Sequence, residues 1–130
     1  MEGKRDISGV DDIKLFVDTF YEKVREDNLI GPVFNNVIDD WTPHLQKMYA
    51  FWNAVLFSVP GFTGNPFAKH APLPIESVHF DRWLVLFNDT IDSLFEGEVA
   101  RDAKKRANTM AILFLSKLEH MRGGNGRVIV

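Results

Sequence analysis

Four histidines and two donor-tipped aromatic residues are the side chains here with the most chemistry to offer: His44, His70, His79, His120, Tyr21 and Trp83. Neutral imidazole ligates metals, and a phenol or an indole N–H needs a partner when buried. His70 stands out by its surroundings. It lies in "NPFAKHAPLP", after a turn-rich segment and ahead of Pro72 and Pro74. Such flanks make poor core packing, but they fix the direction of an imidazole. Ala71, before a proline, is biased away from helix, which places His70 at or near the end of a short helical element.

Each of the others has an ordinary reading beside the chemical one. His44 lies on an apolar stripe and, on the residues alone, reads first as a satisfied core or pocket-edge histidine. His79 shares a helix face with Trp83, four residues on. His120, in "KLEHMRGG", reads as a solvated helix-end residue. A zinc site from His44, His70 and His79 is chemically possible, but the spacing fits no compact zinc motif and there is no HExxH. Neither Ser58 nor Ser77 sits in a GxSxG elbow. "GFTGNPF" lacks the Lys-Ser or Lys-Thr of a phosphate-binding loop.

The aromatic and methionine residues Phe20, Phe34, Met48, Phe51, Trp52, Phe80, Trp83 and Met110 would ordinarily be core. Tyr21 and Trp83 tilt that reading. A flat apolar cofactor with a polar ligand at its centre would use both an apolar wall and two donors.

The elements that must position these residues read as helices throughout, with no long alternating segment that demands a strand. Ile13, Phe16, Val17, Phe20, Tyr21 and Val24 recur at helical spacing, and Ser8 or Asp11 is a candidate cap. "NLIGPVFNNVI" reads as a loop or short helical turns. A second helix is expected near Trp41, with Thr42 capping ahead of Pro43, and carries Leu45, Met48, Trp52 and Val55. A third is expected from about Pro74, with Phe80, Trp83, Phe87, Ile91 and Leu94 on one face. A fourth runs from about Glu98 to Met121, with Val99, Ala103, Ala107, Met110, Phe114 and Leu118 on one side. Gly123-Gly124 is expected to stop it, leaving about 123–130 as a mobile tail.

The bulk numbers fit one domain over residues 1–130 with enough apolar mass for a core: 45% hydrophobic and 25% charged, with eleven Phe and three Trp. A net charge of −3 without long basic runs argues against a nucleic-acid partner. The absence of cysteine excludes disulfides, cysteine-based zinc fingers and thiolate chemistry. No apolar run reaches the roughly 18 residues of a membrane span. The N-terminus has no signal-peptide pattern, so a cytoplasmic protein is expected.

Four segments taken together, in order and at their separations, carry a resemblance. They are "FYEKVREDNLIGPVFNN", "WTPHLQKMYAFW", "KHAPLP" and "HFDRWLVLF". From about Ile13 to Leu118 the chain resembles the group III truncated haemoglobins. The resemblance implies an all-α fold, the shortened globin, with two helix pairs packed across each other. It implies non-covalent haem b with His70 as the proximal iron ligand. Tyr21, His44 and Trp83 would lie on the distal side, with Phe20 and Met48 beside them. Phe34, Trp52 and Phe80 would add to the pocket wall, and Lys69 would reach a haem propionate. The implied function is binding of oxygen or another diatomic ligand. The alternatives are enzymatic use of the haem, in nitric oxide dioxygenation or a peroxidase-like reaction, and a helical module without haem. No flavin-binding motif is visible, so a reductase would be a separate protein, and a monomer is expected.

Overall fold

The computed structural model describes residues 4–60 and 76–126. His70, Lys69 and the prolines beside them lie outside the described residues. Five helices follow one another: α1 Val10–Glu26, α2 Gly31–Val37, α3 Trp41–Phe57, α4 Ser77–Leu94 and α5 Glu98–Gly126. No strand occurs among the described residues. The all-α expectation holds. α1 packs on α3 and α4 packs on α5, and the two pairs meet where α1 crosses α4.

α1 forms because its apolar residues recur every three or four positions. All six residues of the expected stripe, Ile13 to Val24, are buried. Burying each large apolar side chain contributes about 1.5–3 kcal/mol, so this one face outweighs any intrinsic helix propensity. Its cap is not the expected one. Gly9 occupies the cap position without a side-chain bond. Ser8 instead donates its backbone N–H (2.8 Å) and its hydroxyl (3.0 Å) to the carboxylate of Asp12. Arg5 binds the same carboxylate with both terminal guanidinium nitrogens. Ser8 is thus held by Asp12, one helical turn further on.

The segment carrying Arg5 straps the far end of the molecule. Asp6 accepts from the backbone N–H groups of Val99 (2.9 Å) and Ala100 (2.8 Å), capping α5 from 93 and 94 residues away in sequence. The Glu96 N–H donates to the Arg5 carbonyl at 3.0 Å. Gly97 permits this approach. It has φ 145°, and a Cβ there would overlap the Asp6 carboxylate.

Three other helix ends differ from expectation. α3 does begin at Trp41, but its cap is Asp40, whose carboxylate accepts from the Thr42 N–H at 3.1 Å. An extended Asp just outside the helix offers a better-placed oxygen than Thr42, which is already helical. α4 begins at Ser77, past Pro74. α5 continues through Gly123 and Gly124 to Gly126. A glycine stops a helix by turning left-handed; among the described residues only Ser58 and Gly97 take positive φ. On α5 the buried line is Ala100, Ala103, Ala107, Ala111 and Leu118. Four alanines there let α4 approach closely.

The Asp12 cluster makes stability depend on acid. The Arg5 hydrogen bonds hold the Asp12 pKa down at about 2, against the cost of burial and with help from Ser8. An unfolded aspartate titrates near ~3.9. Its contribution is therefore complete above about pH 4 and lost as pH falls through about 2. In urea unfolding, Asp12→Asn is expected to be less stable than wild type at pH 7 and to lose less stability between about pH 4 and pH 2. Parallel curves for the two proteins over that range would refute the assignment.

Candidate functional site

Where α1, α2 and the start of α3 meet, three aromatic rings and an imidazole close on one another. Tyr21, near the end of α1, is buried at 7% exposure. Its ring meets that of His44 edge-on, with centroids 5.1 Å apart at 86°. Trp41 touches both, at 5.7 Å from Tyr21 and 5.5 Å from His44. Phe34 of α2 lies on another side of Tyr21 at 6.4 Å.

Phe20 links this group to α4. Its ring is 4.9 Å from Tyr21 and 5.5 Å from Trp83, edge-on to both. Trp83 stacks on Phe87 at 5.6 Å and 10°, and Phe87 stacks on Trp52 at 5.1 Å and 18°. The tyrosine and the tryptophan thus flank one phenylalanine, which sets their separation. Met48 packs half-buried against the same core.

Burial pushes the Tyr21 phenol well above its ordinary pKa. It is a neutral O–H at any physiological pH, a donor rather than a phenolate, and it makes no hydrogen bond to another described residue. A buried phenol on a wall of hydrocarbon rings suits a polar ligand inside an otherwise apolar site.

Of the residues singled out from sequence, the structure brings together Phe20, Tyr21, Phe34, His44, Met48, Trp52 and Trp83. Phe80 is set apart. It joins Ala111 and Leu118 in a second cluster with Val33 and Phe114. His79 has a different task. The Glu76 N–H donates to its Nδ1 at 2.9 Å, while the His79 N–H returns to the Glu76 carbonyl at 3.0 Å. This ties the first turn of α4 in the manner of a capping box. Among the described residues, no three His, Asp or Glu side chains converge as a metal site. No helix there is long and apolar enough to cross a membrane.

Trp41 is the site residue missed from sequence, where it served only to mark the start of a helix. A signal was available: Trp41 and His44 are three apart on one helix, hence neighbours on one face. Nothing local showed that Tyr21 would complete the triangle.

The family model for bacterial-like globins matches residues 5–115. The group 3 truncated hemoglobin ctb of Campylobacter jejuni is 33% identical over 111 residues, which is 82% of this chain and 87% of that protein. The crystal structure of group III truncated hemoglobin from Campylobacter jejuni superposes with a TM-score of 0.82 at 31% identity, covering 89% of this chain and 95% of that one. That of the truncated oxygen-avid haemoglobin from Bacillus subtilis gives 0.72 at 27% identity, covering 82% and 93%.

The cap assigned to His79 is separable from any ligand role. His79→Ala is expected to cost about 0.5–2 kcal/mol of stability. His79→Gln should recover much of that, since Gln fills the same capping position. Chemical denaturation of the three proteins measures this, and equal losses in both variants would rule out the cap.

Proposed function

The chain belongs to the bacterial-like globin family and stands with its group III truncated haemoglobins, and from that membership we propose that it binds haem b and holds a diatomic gas in the pocket of Tyr21, His44 and Trp83. The observation that carries the reading is the buried, neutral Tyr21 hydroxyl beside His44 on an aromatic wall. A flat hydrophobic group carrying a small polar ligand fits this donor set, and a purely packed core would not need it.

His70, outside the described residues, is the proposed iron ligand. Its flanking prolines stiffen the chain around it, and neutral imidazole is an ordinary haem ligand. Lys69 is proposed to meet a propionate. When bound, ferrous haem supplies the bond to the gas. The protein's share is selection among ligands. Tyr21 donates to a ligand that draws negative charge, and Trp83 offers a second donor from the other side of Phe20. His44 closes the pocket beside Tyr21, and the rings of Phe20, Trp52 and Phe87 keep water out, which strengthens each hydrogen bond.

Two outcomes test this reading. The purified protein should carry haem that acid-butanone removes. His70→Ala should lose most of it, with added imidazole partly restoring the absorption spectrum, whereas His44→Ala should retain haem. A protein that stays colourless after expression with excess haem would refute the proposal, and haem loss in His44→Ala but not His70→Ala would reverse the two faces.

The second outcome concerns the donors. A hydrogen bond to a charged partner contributes about 1.5–3 kcal/mol, so losing one should speed oxygen dissociation roughly 10- to 100-fold. Carbon monoxide carries less negative charge and should dissociate at nearly its original rate. In a cycle of Tyr21→Phe and Trp83→Phe, the effects on oxygen should not add if both donors reach one atom. Equal changes for both gases would mean altered access instead, and no change for either would make these residues core alone.

A further inference from the structure

The ring triangle has an outer member that the ligand reading does not use. Trp41, half-buried, contacts Tyr21 and His44 and is in turn covered by Arg25, whose guanidinium carbon lies 4.8 Å from the indole centroid. We propose that Arg25 and Trp41 form a latch that holds the His44 ring against Tyr21 and so sets how readily ligands enter. The proposal rests on the ligand-pocket reading and deepens it: neither residue donates to the ligand, and both act through His44 as positioning residues.

The geometry gives the latch its direction. Trp41 and His44 are three residues apart on α3, and their rings meet edge-on at 89°. The Trp41 ring, which also meets Tyr21 at 5.7 Å, therefore packs against His44 where α3 faces the end of α1, and His44 cannot swing past it unless that ring yields. Arg25 presses on the ring from the last turn of α1, where a cation is also favoured by the helix dipole. The backbone at this point is pinned, because the Asn35 side chain donates to the Arg25 carbonyl at 3.1 Å. Asp40 fixes the other partner by capping the turn that begins with Trp41. The latch thus joins the end of α1 to the beginning of α3, with the imidazole behind it.

A cation over an indole at a partly exposed site should change the opening equilibrium roughly 2- to 5-fold. Arg25→Gln is therefore expected to raise the carbon monoxide association rate by that factor, while Arg25→Lys, which keeps the cation, stays near wild type. Trp41→Ala should raise it at least as much. Arg25→Gln added to Trp41→Ala should do nothing further, since the arginine acts only through the ring.

The structural readout is the His44 ring-proton chemical shifts, measured by NMR in the protein as purified. Arg25→Gln and Trp41→Ala should both move them, and Arg25→Lys should leave them close to wild type. Additive rates in the double variant would overturn the latch. So would His44 shifts that ignore Arg25→Gln, or equal effects of Gln and Lys at position 25. A protein that took up no haem would refute the ligand reading but leave the His44 shifts to decide the latch.

Discussion

Phe20 is the residue on which the arrangement turns. It is 2% exposed and makes edge-on contact with three rings, those of Tyr21, Trp83 and Phe87. Edge-to-face contacts are directional and contribute about 0.5–1.5 kcal/mol beyond burial. Together they constrain the crossing of α1 and α4 more tightly than aliphatic packing would. Phe16 repeats the device one turn earlier, against Phe87 and Trp52. The crossing of the two helix pairs and the spacing of the two candidate donors therefore follow from the same few rings.

Such a core sets the crossing but does not set where along α1 its neighbours attach. Polar contacts at both ends and in the middle do that. At one end is the Arg5–Asp12 pair with the Asp6 strap. At the other, Asp27 accepts from the N–H groups of Leu29 (2.9 Å) and Ile30 (3.0 Å) and pairs with Arg82 at 3.3 Å. Gly31 lets α2 sit close, since a Cβ there would lie 2.9 Å from the Val24 and Arg25 carbonyls. Between them Tyr49 of α3 donates to Asp18 of α1, and this bond, after burial, pushes the Tyr49 phenol up to about 12. The Tyr49–Asp18 bond is solvent-exposed, and such contacts contribute about 0–1 kcal/mol each, so its weight lies in alignment more than in stability. Arg82 precedes Trp83, so the Asp27 pair fixes α4 at the residue next to a candidate donor.

The helices were legible in the sequence because periodicity is local. The six buried apolar residues of α1 could be named from spacing alone, and most of the residues gathered around Tyr21 were named through the resemblance. Helix ends were less legible because here they are settled at a distance. The carboxylate that caps α5 comes from Asp6, and Ser8 is drawn to Asp12 by a charge cluster that includes Arg5. Glycines misled in the same way. Gly123-Gly124 has the composition of a helix stop but lies within α5, whereas Gly97, unremarked in the pattern, takes the left-handed φ and admits the strap. Phe80 shows the limit of a stripe. Its spacing matches that of Trp83 and Phe87, yet a helix face is wide enough to serve two clusters.

Tyr21 is the residue at which fold and function pull apart. Packing alone would be served by phenylalanine there, since the ring is buried among other rings and the hydroxyl makes no hydrogen bond to a described residue. Burial also pushes the phenol's pKa upward, so the hydroxyl stays neutral and can act only as an O–H group. A neutral donor held in place by Phe20, Phe34, Trp41 and His44 has little freedom left to lose when a ligand arrives. In so apolar a setting its hydrogen bond is also stronger than it would be in water. On the proposed reading, the rings that bury the phenol are the same ones that would make its hydroxyl selective for a ligand drawing negative charge.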